Sequence, residues 1–180
     1  MITIMTGSFF SFLNEFSHQN HSFAAGQMIV DMDDAVTRLY MVTNGMVHLV
    51  RFREDGGVVV LQRAGVGAIL AEASVFSGRY HCAAMAVRAC ELRSYPLKAV
   101  RGLLETKPAA SQAYALHLAG EVRAARKRAE ILALKTVAER LTAWLTWNQG
   151  QMPERGVWHH VADEIGVSRE ALYRELAKRR

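Results

Sequence analysis

The chain has 180 residues, 51% of them apolar and 22% charged, with 22 Lys and Arg against 17 Asp and Glu for a formal net charge of +5. The pairing of low hydrophobicity with high charge that marks disorder is excluded, and the length allows one ordinary domain or two small ones with a real core. The charge is uneven: residues 1–120 hold 10 basic and 9 acidic side chains, residues 121–180 hold 12 and 8, which points the last third towards a polyanionic partner, nucleic acid or an anionic membrane surface.

Two cysteines, Cys82 and Cys90, cannot by themselves build a disulfide framework or a four-thiolate metal site, so a reducing compartment is expected. The first basic residue is Arg38, so the positively charged start of a secretory signal is missing. No run of about 18 apolar residues argues for a membrane span. The expectation is a soluble, cytoplasmic protein without a membrane partner.

From about Ser22 to Tyr95 short strands alternate with glycine. Leu39–Val42, Thr43-Asn44-Gly45 and Met46–Phe52 predict a hairpin, because Asn and Gly both tolerate positive φ. Glu54-Asp55-Gly56-Gly57 predicts a second one running into Val58–Leu61, and Gly65-Val66-Gly67 closes the next turn. Strand-like pieces at Ala83–Val87 and Glu91–Tyr95 complete a pattern that fits an antiparallel sandwich or barrel.

At Pro96 the period changes. Leu97–Glu105 reads as a short helix, and Pro108 as the first-turn proline of a long one. Leu116, Ala119, Val122, Ala125, Ala129 and Leu132 recur at steps of three and four, one apolar stripe on a helix of about 25 residues and about 37 Å. Such a stripe is covered either by a parallel copy of itself or by the chain's own β domain. Lys135–Trp147 reads as the next helix, with Val137, Leu141, Trp144 and Leu145 on one face, and residues 148–153 break it. Strands first and helices after make the fold class α+β.

The last 23 residues carry the most information. Ala162 sits where two helices cross closely, Gly166 four residues on can take the left-handed turn, Val167 plugs the core, and Ser168 stands as N-cap of the final helix. This is helix-turn-helix spacing, which inert helix pairs also show. On the final helix Ala171, Leu172 and Leu176 supply the inward side and Arg169, Glu170, Tyr173, Arg174 and Lys178 the outward one. Residues 166–180 hold five basic and two acidic groups. Arg can bridge the two major-groove acceptors of guanine and Glu can accept from the cytosine amino group, so the outward face is either a DNA-reading surface or a solvated charged one.

Taken together, Leu39-Tyr40-Met41-Val42 with Gly45-Met46-Val47, the Asp55-Gly56 turn, Gly65-Val66-Gly67, Glu139-Arg140-Leu141 and Ala162 with Gly166-Val167-Ser168-Arg169-Glu170 and Arg174 make nearly the whole chain resemble the Crp/Fnr family of bacterial transcription regulators. The resemblance implies an antiparallel β-roll (a double-stranded β-helix of the cyclic-nucleotide-binding type) over 1–107, a long dimerisation helix over 108–134 whose seam is the stripe above, and a helix-turn-helix DNA-binding domain over 135–180. It implies a homodimeric regulator rather than an enzyme, with no catalytic residue. Its partners would be double-stranded DNA at a palindromic site with a TGTGA-like half-site, a second copy of the chain, and RNA polymerase. By the same resemblance Ser168, Arg169, Glu170, Tyr173, Arg174 and Lys178 form the DNA-binding set.

Two departures qualify that picture. The family's nucleotide pocket has a Gly-Glu pair whose Glu holds the ribose and, about ten residues on, an Arg that neutralises the cyclic phosphate; here stand Ala71-Glu72 and His81-Cys82-Ala83. Without the guanidinium a buried phosphate loses its bidentate partner, so cyclic AMP is not expected to bind with physiological strength. The effector pocket would be Ala71, Glu72, His81, Cys82 and Ala83, with Arg126 of the long helix closing it on an anionic ligand. The second departure is that the family's β-hairpin wing has no counterpart after Lys178-Arg179-Arg180; it is either absent or cut off, and the three terminal bases would take over the grip on phosphate.

The cofactor is not identified by the sequence. An iron-sulfur cluster of the family's oxygen-sensing kind is argued against, since no cysteine precedes Cys82. Haem or metal finds little support: His18 with His21 and His81 with Cys82 are close pairs without a recognisable third ligand, so no metal site is assigned. Cys82, at the rim of the pocket, and Cys90 read as buried structural thiols or as a redox sensor. The rival functions are a cupin-like small-molecule or metal-binding β-barrel protein, with His48 and His81 as ligands, and a protein-interaction module that keeps the helix-turn-helix as scaffold.

Overall fold

The computed structural model describes residues 9–70 and 72–179. The chain forms two compact units that meet at Leu118/Ala119.

The first unit opens with helix α1 (Phe9–Leu13) and continues with eight strands, β1 (Gln19–Phe23), β2 (Met28–Val30), β3 (Arg38–Asn44), β4 (Val47–Phe52), β5 (Val58–Ala64), β6 (Ile69–Leu70), β7 (Ala83–Ala86) and β8 (Cys90–Pro96). They make two four-stranded antiparallel sheets, ordered β1-β8-β3-β6 and β2-β7-β4-β5. Helix α2 (Leu97–Thr106) and the start of α3 (Pro108–Ala133) follow. This is the expected antiparallel roll with helices after it.

The pleat explains how one strand serves two cores. Along β3, Leu39 and Met41 point into the cluster built with α1, α2 and the start of α3, whereas Tyr40 and Val42 point into the cluster between the sheets. The second cluster is lined with small side chains, Ala64, Ala84 and Ala86 among them, which lets the sheets approach closely.

The hairpin expected at Asn44-Gly45 is corrected. β3 pairs with β8 and β6, β4 with β5 and β7, so the corner carries the chain from one sheet to the other. Gly45 is required there twice over: its φ is +85°, and a Cβ would lie 2.6 Å from that of Cys90. An Asn-Gly corner needs positive φ in either geometry, and only distant pairing decides between them. The Asp55-Gly56 turn does join paired strands; Arg53 N–H donates to Gly57 O at 2.8 Å and Gly56 N–H to Arg53 O at 3.0 Å. β7 and β8 also belong to different sheets.

The second unit contains the remainder of α3, then α4 (Val137–Trp147), α5 (Trp158–Glu164) and α6 (Arg169–Lys178) around Ile131, Leu141, Trp144, Val161, Ala162, Ile165 and Leu172. Thr136 and Glu139 form a reciprocal capping box: Glu139 N–H donates to Thr136 Oγ1 at 3.1 Å and Thr136 N–H to Glu139 Oε2 at 2.9 Å. The backbone N–H of Thr136 and then its hydroxyl hold the Glu139 carboxyl below its usual range. Next to it Arg140 donates to four carbonyls, those of Leu132 in the last turn of α3 and Leu134 just past it and those of Ile165 and Gly166 past the end of α5, at 2.9–3.2 Å. One guanidinium thus satisfies orphan carbonyls of two helices at once. Among the described residues no helix is long and apolar enough to cross a membrane.

Candidate nucleic-acid interface and effector pocket

The turn between α5 and α6 has the geometry that its residues dictate. Ala162 is fully buried at the crossing, Gly166 has φ +66°, and Val167 N–H donates to Ala162 O at 2.9 Å. A Cβ on Gly166 would lie 2.6 Å from Leu132 Cδ2, so the turn sits hard against the end of α3. Ser168 caps α6, its Oγ accepting from Ala171 N–H at 3.2 Å. Leu172 is fully buried and anchors the inward face.

Outward, Arg169, Glu170, Tyr173, Arg174 and Lys178 are exposed, as is Ser168 itself. Arg169, Arg174 and Lys178 hold no hydrogen bond or ion pair among the described residues. Glu170 is different. Its own backbone N–H and then the Ser168 hydroxyl hold its carboxyl below the usual range, with Arg169 and Arg174 adding to the effect. It is a carboxylate at neutral pH, an acceptor only. One helix face therefore offers fork-shaped donors beside a fixed acceptor. Arg179, one of the three terminal bases, is spent on its own unit: it pairs with Glu175 at 2.9 Å and donates to Ala138 O and Thr142 Oγ1 of α4. Arg180 lies outside the described residues.

The stripe on α3 is uncovered. Leu116, Val122 and Leu132 are 53%, 47% and 42% exposed, and Ala119, Ala125 and Ala129 are exposed as well. Arg126 is exposed on the same helix.

The pocket residues of the roll are tied to their own chain. Ala71 lies outside the described residues. Glu72 opens a 3-10 turn and is buried, and Tyr114 O–H donates to its backbone carbonyl at 2.7 Å. His81 Nδ1 and the buried Ser74 hydroxyl are 2.9 Å apart and hydrogen-bonded, and the His81 carbonyl accepts from Arg51 Nε and Nη2 at 3.3 and 3.2 Å. Cys82 and Ala83 are fully buried. The thiol expected at a rim is in the core between the sheets, where burial pushes it up, Arg51 opposes that push and Glu72 adds to it. Cys90 is a second buried free thiol, also pushed up by burial. Arg51, Ser74 and Tyr114 were not singled out by the sequence, since each reaches the pocket from a different element.

Among the described residues, Arg51 is the arginine seen against the residues that the resemblance gives to the pocket. The position that would supply a guanidinium is His81, whose ring is engaged with Ser74, and the nearby Arg51 is directed at a backbone carbonyl. The cupin reading rests on His48, in β4, and His81. Among the described residues no group of three His, Cys, Asp or Glu is placed to hold a metal ion.

A β-roll followed by a helix-turn-helix defines the class, and comparison with known proteins agrees. Residues 20–107 match the family model of the cyclic nucleotide-binding domain. FixK2 from Bradyrhizobium japonicum superposes with a TM-score of 0.72 at 19% identity, over 91% of this chain and 84% of that one. The c-di-GMP responsive global regulator CLP of Xanthomonas campestris gives 0.64 at 21%, over 89% and 86%. A transcriptional regulator of the CRP family from Thermus thermophilus gives 0.61 at 19%, over 88% and 83%. No curated protein matches the chain in sequence. The β-roll segment belongs to the cyclic nucleotide-binding domain family, and the chain as a whole has the fold of the Crp/Fnr regulators.

Proposed function

We propose that the protein is a homodimeric, sequence-specific DNA-binding transcription regulator of the Crp/Fnr type, acting in the cytoplasm, that does not answer to cyclic AMP. The observation that carries this reading is the outward face of α6, where Arg169, Arg174 and Lys178 are uncommitted beside an ionised Glu170. Seated in the major groove, Arg169 and Arg174 read guanine and Glu170 reads cytosine within a TGTGA-like half-site, while Ser168, Tyr173 and Lys178 flank them. The uncovered stripe of Leu116, Ala119, Val122, Ala125, Ala129 and Leu132 pairs with its copy along the helix of residues 108–134. That pairing sets two recognition helices about 34 Å apart on a palindrome.

The roll of 1–107 biases the arrangement by a population shift when an effector or chemical change acts on it. Its pocket of Glu72, His81, Cys82 and Ala83, with Ala71 before it, has no arginine at the phosphate position, and Arg126 of the long helix is a separate candidate for holding an anion. RNA polymerase is the downstream partner. Footprinting of genomic DNA with the purified protein tests the reading. Protected palindromes sharing a half-site support it, and uniform protection overturns it. Calorimetry with cyclic AMP tests the sensor half, where micromolar affinity would contradict the assignment.

A further inference from the structure

The side of the helix-turn-helix next to Tyr173 carries a structure that neither the motif nor the family match assigns. Trp158, the first residue of α5, packs its ring against Tyr173 with centroids 5.4 Å apart and planes tilted by 45°. The Arg155 guanidinium lies 5.5 Å from the Trp158 ring centroid. The indole is fixed in place because its Nε1–H donates to Pro153 O at 2.9 Å. Three side chains from α6, α5 and the turn before it therefore make one chain of contacts, guanidinium to indole to phenol.

Each member is where a nucleic-acid contact would be useful. Tyr173 is 42% exposed, on the same face as Glu170 and Arg174. Arg155 is exposed and has no carboxylate partner among the described residues, in contrast to Arg179. Contact with an indole ring leaves the edge N–H groups of a guanidinium open to hydrogen-bond an anion and removes much of the side-chain freedom that such a contact otherwise costs. The Arg155 guanidinium is thus two contacts removed from Tyr173, by way of the Trp158 ring. An exposed cation next to a groove-seated helix is placed for phosphate rather than for base edges.

Resting on the DNA-binding reading above, we infer that Arg155 is a phosphate-contacting residue, that Trp158 is its positioning residue, and that the same chain of contacts holds Tyr173 in place on the reading face. The contact is sequence-independent, so it gives affinity and register rather than base choice.

The test uses the full chain and a fluorescein-labelled duplex of about 30 base pairs of random sequence, titrated at several salt concentrations between about 50 and 200 mM. Removing one phosphate contact lowers the magnitude of the log–log salt slope by about 0.9. Arg155→Ala is expected to show that drop, and Arg155→Lys to keep the wild-type slope. Trp158→Ala is expected to lower the slope as Arg155→Ala does, with no further drop in the double variant, and Trp158→Phe to restore it. Thermal melts of each variant separate loss of fold from loss of contact. Wild-type protein that binds the duplex while Arg155→Ala leaves the slope unchanged overturns this inference alone. Wild-type protein that binds no duplex at all overturns the DNA-binding reading and this inference with it.

Discussion

The roll pocket and the outer face of α6 use their polar side chains differently. In the β-roll they turn back onto the chain: Arg51 onto the His81 carbonyl, Ser74 onto His81, Tyr114 onto the Glu72 carbonyl, and Arg38 Nε onto the buried Ser94 hydroxyl at 2.7 Å. In the helical unit the structural work is concentrated in two arginines, Arg140 and Arg179, and the outer face of α6 is left uncommitted. A polar group satisfied internally has little to gain from a ligand, whereas an unpartnered guanidinium does. The proposed function therefore rests on α6 far more than on the roll.

Nature has also labelled the two units differently. Trp144, Trp147 and Trp158 all lie after Leu118, whereas four of the five tyrosines, Tyr40, Tyr80, Tyr95 and Tyr114, lie in the first unit. Indole fluorescence therefore follows the helical unit and phenol absorbance mainly the roll. The largest expected effect is that of Leu172→Ala, which empties a fully buried position and costs about 2–5 kcal/mol. The fluorescence-detected unfolding transition should move to lower denaturant while the absorbance-detected one stays. A common shift of both would show that the units unfold as one.

Arg140→Ala comes next. It leaves the carbonyls of Leu132, Leu134, Ile165 and Gly166 without their donor, at a cost of about 1–3 kcal/mol, again in the fluorescence transition. Arg140→Lys should recover only part of this, since an ammonium cannot span four acceptors with a planar fork. Full recovery with Lys would mean that charge alone matters there.

The smallest effect belongs to the roll. Tyr114→Phe removes the hydrogen bond to Glu72 O and should cost about 0.5–1.5 kcal/mol at neutral pH. Burial, and then the Glu72 charge, push the Tyr114 phenol up to about 12. The native state keeps a proton that the unfolded chain releases near pH 10. Stability is thus fully present below about pH 10 and is lost as pH rises towards 12. Tyr80, also pushed up to about 12 by burial, acts in the same direction. Tyr114→Phe should make the alkaline limb of the stability curve shallower, and an unchanged limb would sink the account of this tyrosine.

What the sequence disclosed follows the range of the interactions. The α5–α6 turn is local: Ala162, Gly166, Val167 and Ser168 act within a few residues of one another, and their spacing alone placed the turn, the cap and the exposed face. The stripe on α3 is equally local, and its exposure matches its period. The partnership of β3 with β8 rather than β4 is settled some fifty residues away, so the Asn44-Gly45 signal was read as a hairpin although it supports any corner with positive φ. Arg140 was visible only as part of a family match, because its four acceptors come from two helix ends. Arg155 and Trp158 had no signal in sequence, since their chain of contacts to Tyr173 exists only once α5 and α6 are folded against each other. The terminal position of Arg179 suggests a phosphate ligand, and in the fold it bonds Glu175 and α4.

On the proposed reading α6 reads bases rather than merely attracting a polyanion. It is tested most directly by one ratio, the affinity for a duplex recovered by footprinting divided by that for a random duplex, measured at one salt concentration for the wild-type chain and Arg174→Ala. The account predicts a wild-type ratio of about 1,000 or more, and a loss in Arg174→Ala of about 1–3 kcal/mol confined to one base pair of the recovered site. A ratio near one, or an equal loss on both duplexes, would contradict it.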